Sequence, residues 1–391
     1  MTNGSTIYAD YQATTPLDRR VRERMAPFWE SSFGNPHSTD HVVGWRAEQA
    51  VRRAAASVGD LVGADADEVV FTSGATEANN LALLGLAHRA SPGRRRILVS
   101  AVEHKCVLAA SGSLRAAGSF AVETIPVRGD GTVHPAALAA LVADDVLVVS
   151  VMAVNNEIGS VNDMAAIAAV LAPHGVLLQC DAAQAACAMD LGELASHADL
   201  ISLSAHKMYG PQGIGALVVR RQIQSRIEPL FHGGGQQNGL RSGTLPLALC
   251  VGFGEAAALF RGGDSAGEFR RVAGLRDRFV GLLTTGGVSC RLNGPPRGQR
   301  HPGNANLSFE GVNAQDLLGA LQPRLAASTG AACSSGIPEP SHVLTAIGMT
   351  SGQCDSSVRF SFGRFTTPED VEAAADLVRE TVRRLSQETT A

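Results

Sequence analysis

Through the middle of this chain, short β-branched runs alternate with long alanine-rich segments, and that pattern restricts the fold more than any other feature. Val69–Thr72 precedes Glu77–Ala90, Arg96–Ala101 precedes Cys106–Ala117, and Val146–Val151 precedes Met164–Ala172. Val176–Cys180, Leu200–Leu203 and Gly215–Val219 follow. Runs that are apolar along nearly their whole length need cover on both faces. Helices between them supply that cover around a mainly parallel sheet, so the expected class is α/β from about residue 15 to about residue 260. Phe260–Ser265 reads as a surface turn, after which the pattern changes. A helix over Glu268–Thr285, strands at Val288–Leu292 and Asn304–Phe309, and a helix over Ala314–Leu321 are expected. Thr329–Ser341, rich in small residues and proline, cannot be regular for long. Helix Val343–Ile347, strand Val358–Ser361 and helix Pro368–Ser386 complete a smaller α+β part.

No apolar run reaches the length of a membrane span, and the net charge of -4 comes with no basic tail. A dedicated nucleic-acid binder is therefore not expected. The seven cysteines fit neither a disulfide framework nor a metal-ligand spacing, and no basic start leads into an apolar stretch. A reducing cytoplasm is the expected setting, with each cysteine by default a small buried hydrophobe. The basic residues are more pointed: of 33 lysines and arginines only Lys105 and Lys207 are lysine. Chemistry that needs an uncharged amine has these two side chains to choose from, because arginine stays protonated.

Each lysine follows a histidine. Lys207 ends an apolar run and precedes Gly210, Pro211, Gly213 and Gly215, which places it at a strand end beside a turn that a ligand can approach closely. Asp181 also stands where an apolar run stops, and in a parallel sheet two such ends can share one rim. Pyridoxal phosphate uses this pair of groups: a lysine for its Schiff base and an acid that keeps the pyridine nitrogen protonated. A surface salt bridge is the plainer alternative. Ser73–Glu77, between a strand and a helix, could cradle phosphate or simply cap the helix. It is not a nucleotide-hydrolase loop, and no dinucleotide-binding glycine pattern follows an early strand. His104 could stack on a ring or be structural. If its segment is extended, Lys105 points elsewhere, which favours Lys207 as the reactive amine.

YADYQATTPLD (8–18), FGNPHS (33–38), FTSGATEANNLAL (71–83), VEHKCVL (102–108), VNNEIGS (154–160), DAAQ (181–184), SLSAHKMYGPQGIGAL (202–217), GGGQQNGLRSGT (233–244), STGAACSSGIPEPSHVL (328–344) and VRFSFGRFTTPEDV (358–371) occur in this order. With them the chain resembles the class V aminotransferase-like family of fold-type I pyridoxal phosphate enzymes, and within it the NifS/IscS-type cysteine desulfurases. The resemblance implies a three-layer large domain with a mainly parallel seven-stranded sheet at 15–260. It implies a small domain from 1–14 and 261–391 that carries a catalytic cysteine loop. It implies that Lys207 holds the cofactor and moves the Cα proton, that Asp181 pairs with the pyridine nitrogen, and that Gln184 hydrogen-bonds the phenolate oxygen. His104 would stack on the ring. Ala75, Thr76, Ser204 and His206 would bind the phosphate end, joined by Thr244 from the partner of a homodimer with shared active sites. Asn156 and Arg359 would bind the carboxylate of L-cysteine with help from Asn35, and Cys333 would take the sulfur as a persulfide, releasing L-alanine. No metal is implied.

The family stretch GGGHERG reads GGGQQNG here, so Gln236, Gln237 and Asn238 replace three ionisable residues near the expected entrance. Pro338 and Pro340 flank Glu339 and should stiffen the loop exit, confining a hinge to Thr329–Ile337. A selenocysteine lyase shares every cofactor residue and would differ in alanine release from selenocysteine. A plain aminotransferase would yield a keto acid, and a non-catalytic scaffold would not take up the cofactor. The sulfur would pass to an acceptor protein, and iron–sulfur cluster assembly, tRNA thiolation and DNA phosphorothioation all use such donors. Direct contact with nucleic acid or membrane is not expected.

Overall fold

In the computed structural model, which describes residues 6–330 and 340–388, the apolar runs form one seven-stranded sheet. Its strands are β2 (Val69–Thr72), β3 (Arg96–Ser100), β4 (Ala121–Ile125), β5 (Val146–Ser150), β6 (Leu177–Asp181), β7 (Leu200–Ser204) and β8 (Gly215–Val219). They lie in the order β2-β8-β7-β6-β5-β3-β4. The pairs β7–β6, β6–β5, β5–β3 and β3–β4 are parallel, and β8 runs antiparallel to both its neighbours. The sheet is thus mainly parallel, as expected, with one reversed strand.

Side-chain alternation shows why the sheet is covered twice. Val69, Phe71, Leu98, Ala216 and Val218 pack into one apolar cluster, and Val70, Ile97, Val99, Leu217 and Val219 pack into another. The first cluster is closed by α1 (Val42–Val62), α4 (Met164–Leu171) and α5 (Leu247–Gly262). The second is closed by α2 (Ala75–His88) and α3 (Lys105–Ala116). Three layers result. Gly63 ends α1 in the left-handed region at φ 78°, where a side chain would be strained.

A smaller α+β unit follows. Strands β9 (Cys290–Leu292), β10 (Asn304–Phe309) and β12 (Ser357–Ser361) make an antiparallel sheet in the order β12-β10-β9. Phe309 and Phe360 from its strands pack on Phe279 of α6 (Ser265–Thr285), Leu317 of α7 (Ala314–Leu321) and Val378 of α9 (Pro368–Glu388). A short helix, α8 (His342–Ala346), packs on Val102 and Ile158 of the larger part. The chain start joins this unit: β1 (Ile7–Tyr8) pairs in parallel with β11 (Leu325–Ala326), and Asp10 bridges to Ser361.

Element positions agree with expectation to within one to three residues where the pattern was strong. Phe260–Gly262 is the last turn of α5 instead of loop, so the surface turn shrinks to Gly263–Asp264. Among the described residues no helix is long and apolar enough to cross a membrane.

Candidate active site

Two neighbouring strand ends start the site. β6 stops at Asp181, and β7 stops at Ser204 and runs directly into a tight turn over Ala205–Lys207. Because these strands are parallel and paired through Asp181 and Ser202, both ends open at one rim of the sheet. β2 reaches the same rim, and its exit Ser73–Thr76 leads into α2. The first N–H groups of a helix have no carbonyl one turn back, so this turn offers donors to an anion. Gly215 makes the turn possible: a Cβ there would sit 2.7 Å from Cα of Gly74 and 2.5 Å from the carbonyl oxygen of Leu203.

These ends surround a cavity of about 760 Å³. Ala75, Thr76, His104, Asn156, Asp181, Gln184, Ser204, His206, Lys207 and Arg359 all line it. The fold therefore gathers ten of the thirteen expected site residues in one place. Thr244 and Asn35 are exposed and lie off this lining; Asn35 holds a local turn by accepting from the His37 N–H at 2.9 Å. Cys333, Pro338 and most of the expected hinge lie outside the described residues.

The Lys207 ammonium donates to the carbonyls of Gln12 and Ala13, each at 2.6 Å. Burial, helped by the Arg359 charge, brings its pKa down from 10.5 to about 8 against the opposing pull of Asp10 and Asp181. Burial and the neighbouring Lys207 push His206 down to about 4, and its Nδ1 meets the Thr14 hydroxyl at 3.0 Å. Asp181 is 4% exposed and accepts from the Ala183 N–H at 3.0 Å. Gln184 donates to the Gln12 carbonyl at 2.8 Å.

His104 caps α3, its Nδ1 accepting from the Cys106 N–H at 3.2 Å. His104 lines the cavity and is exposed there, yet desolvation by the protein around it lowers its pKa, with Asp181 opposing. Lys105 lines the same cavity. The expectation that it points elsewhere rested on an extended segment; the segment instead opens a helix, where consecutive residues are not thrown to opposite faces.

Arg359 is 3% exposed. It donates to the Asn156 carbonyl at 2.7 Å and to Asp10 Oδ1 at 2.6 Å, while its Nε has no partner among the described residues. The residue lines the cavity, where its charge suits a carboxylate.

Several groups around the cavity escaped the reading of single residues. Asp10 and the carbonyls of Gln12 and Ala13 come from the chain start, and their place beside Lys207 and Arg359 is set only by tertiary folding. Glu157 sits inside the quoted VNNEIGS; burial raises its pKa, and it accepts from the Ser341 hydroxyl at 2.5 Å. Glu103 is fully buried with its pKa raised to about 8, and its carbonyl meets His342 Nε2 at 2.9 Å. Each has a single apolar neighbour, Val102 before Glu103 and Ile158 after Glu157, which is too little signal to single it out.

Residues 7–374 match the family described as "Aminotransferase class-V". Over 383 residues the chain is 46% identical to "Cysteine desulfurase IscS" of Ectopseudomonas mendocina, covering 97% of this chain and 94% of that one. Among solved structures, one described as a "NifS-like protein" superposes with a TM-score of 0.89 at 30% identity, covering 97% of this chain and 99% of the other. Another, "SspA in complex with cysteine", gives 0.80 at 34% identity, with 92% and 99% covered.

Proposed function

The chain belongs to the class-V aminotransferase family and, within it, to the NifS/IscS-type cysteine desulfurases, and from that premise we propose a role for each side chain of the cavity. The enzyme is a pyridoxal-phosphate-dependent cysteine desulfurase. When bound, pyridoxal phosphate supplies an aldehyde that condenses with amines and a protonated ring that draws electrons from the substrate's α-carbon.

Lys207 carries the cofactor and then acts as base for the Cα proton. An amine brought down to about 8 has an appreciable uncharged fraction near neutral pH. Asp181 pairs with the ring nitrogen, Gln184 hydrogen-bonds the ring hydroxyl, and His104 stacks on the ring. Ala75, Thr76, Ser204 and His206 hold the phosphate with the N-terminus of α2. Arg359 and Asn156 bind the substrate carboxylate. Cys333 attacks the sulfur of L-cysteine: an S–S bond forms, the Cβ–S bond breaks, and its electron pair stays with the carbon skeleton. In sum, L-cysteine and the Cys333 thiol become L-alanine and a Cys333 persulfide, whose outer sulfur passes to an acceptor protein.

The observation that carries this reading is the convergence of Lys207, Asp181 and Arg359, with the α2 turn, on one cavity. The reading also divides the chain into a large domain at 15–260 and a small one from 1–14 and 261–391, supported by the pairing of β1 with β11. It assigns Thr244 to the partner's cavity in a homodimer. Exposed Trp29, Phe33, Val42, Val43 and Trp45 support such a partner, since apolar side chains clustered on one stretch ask for cover. The unpaired thiols of Cys106, Cys180, Cys187, Cys250, Cys290 and Cys354 support a cytoplasmic setting.

The test is a single turnover of the reconstituted enzyme with L-cysteine. Alanine and persulfide sulfur on Cys333 should appear in equal amounts, and Cys333→Ser should give neither. A keto acid in place of alanine, or alanine without a persulfide, overturns the reading.

A further inference from the structure

Asn79 lies in α2, is 0% exposed, and occupies a helix face that is otherwise apolar. Such a residue costs stability unless both ends of its amide are satisfied. Its Nδ2 donates to Asp181 Oδ2 at 2.8 Å and to Cys106 Sγ at 3.3 Å. Its Oδ1 accepts from Gln179 Nε2 at 2.7 Å, and the Gln179 Oε1 accepts in turn from the Ser150 hydroxyl. Gln179 and Ser150 are also 0% exposed. The row has one consistent polarity: each member donates toward Asp181. Turning the Asn79 amide over would set oxygen against carboxylate and nitrogen against nitrogen.

Cys106 extends the row. Its sulfur takes donors from Asn79 and Thr76 and lies 3.0 Å from His104 Nδ1. That nitrogen already accepts the Cys106 backbone N–H, so it carries a lone pair and the thiol is the donor. Burial, together with Asp181, pushes the thiol up to about 11, so the proton stays on sulfur at neutral pH.

We propose that Asn79 and Cys106 form one positioning relay that orients Asp181 and holds His104 as its Nε2–H tautomer, so that the carboxylate and the imidazole meet the cofactor ring in fixed states. Asn79 is fully buried behind the cavity wall, and Cys106 lines the cavity beside His104. The part concerning Asp181 rests on the pyridoxal phosphate reading; the part concerning His104 does not. The charged and titratable groups acting on His104 are Asp181, Lys207, His342 and Lys105.

The first arm of the test needs no cofactor. Histidine-selective nitrogen NMR, with the signal assigned by its loss in His104→Gln, reads tautomer and titration midpoint directly. Wild type should show Nε2 protonated. Cys106→Ala removes a donor to the neutral ring and should raise the midpoint by about half a pH unit or more. Cys106→Ser keeps a donor and should stay near wild type. The second arm loads the protein with pyridoxal phosphate and follows release into a trap. Asn79→Ala should release it about tenfold faster, a loss typical of a hydrogen bond to a charged group. An Nδ1–H tautomer in wild type, identical midpoints for the alanine and serine variants, or wild-type release from Asn79→Ala overturns the relay. If wild type binds no cofactor, the pyridoxal phosphate reading fails and the NMR arm alone decides the His104 part. If Asn79→Ala does not fold, the isosteric Asn79→Asp, which sets a carboxylate against Asp181, should release faster still.

Discussion

The chain contains the same dipeptide twice, and the two copies have different fates. His206-Lys207 follows β7 in a tight turn, where burial pushes His206 down to about 4 and Lys207 down to about 8. His104-Lys105 opens α3, with the histidine as cap and the lysine exposed at the cavity edge. Composition cannot distinguish these lysines. What distinguishes them is burial: the tight turn carries the Lys207 amine into the wall, where the Gln12 and Ala13 carbonyls accept from it at 2.6 Å, while Lys105 is exposed.

Substitution of the two lysines should break the symmetry most strongly. Lys207→Ala should lose borohydride-fixable cofactor and all measurable alanine release. Lys105→Ala should retain the fixed cofactor and lose less than about tenfold in kcat/KM, the scale of one charge acting through partly solvated space. Cofactor fixed in Lys207→Ala but not in Lys105→Ala would reverse the comparison. Next in size is the neighbour that helps depress Lys207. Arg359→Ala should raise KM for L-cysteine by about tenfold to a hundredfold through loss of a charge-assisted contact. It should also raise the pKa of Lys207, read from the pH dependence of the apo-protein amine's reaction with an acylating reagent. An unchanged KM would remove Arg359 from substrate binding.

The smallest expected effect is on stability. The unfolded lysine titrates near 10.5 and the folded one near 8, so between those values the unfolded chain binds more protons and stability rises with pH. Denaturant unfolding of the apo-protein at pH 8 and pH 10 should therefore show wild type gaining relative to Lys207→Met, by at most about 3 kcal/mol. Parallel pH dependences would mean that the amine is not desolvated.

The central strands were legible because burial on both faces leaves an unbroken apolar run, as at Val146–Ser150. β4 was missed: it is a sheet edge with mostly exposed or half-buried side chains, and Ala-Val-Glu-Thr-Ile carries no such run. α1 and α5 were not singled out: the buried stripe of α1 is mostly alanine and glycine, and α5 is buried on most of its circumference, so close packing of one helix on the other carries little weight in large apolar side chains. Gly254 shows this: a Cβ there would lie 2.6 Å from Cα of Ala54. In the site, Lys207 and Asp181 were legible because a charged residue at the end of an apolar strand is informative by itself. Gln12, Asp10 and Asn79 were not. The first contributes to Lys207 only a carbonyl, which every residue has, and Asn79 acquires its meaning from β6 and α3, far away in sequence.

The pairing of the chain start with its last quarter has a consequence for biosynthesis. A ribosome that has reached the end of β8 has already supplied Asp181, Lys207 and the α2 turn, but not Arg359 or the strand β11 against which β1 packs. Residues 7–13, which carry the acceptors for the Lys207 amine, have no strand to lie on until then. The nascent protein thus holds the reactive amine well before the groups that confine it, and folding units mature in order of synthesis. The low pKa of the Lys207 amine, which Arg359 and burial set together, is a property of a chain extended past residue 359, where Arg359 pairs with Asp10.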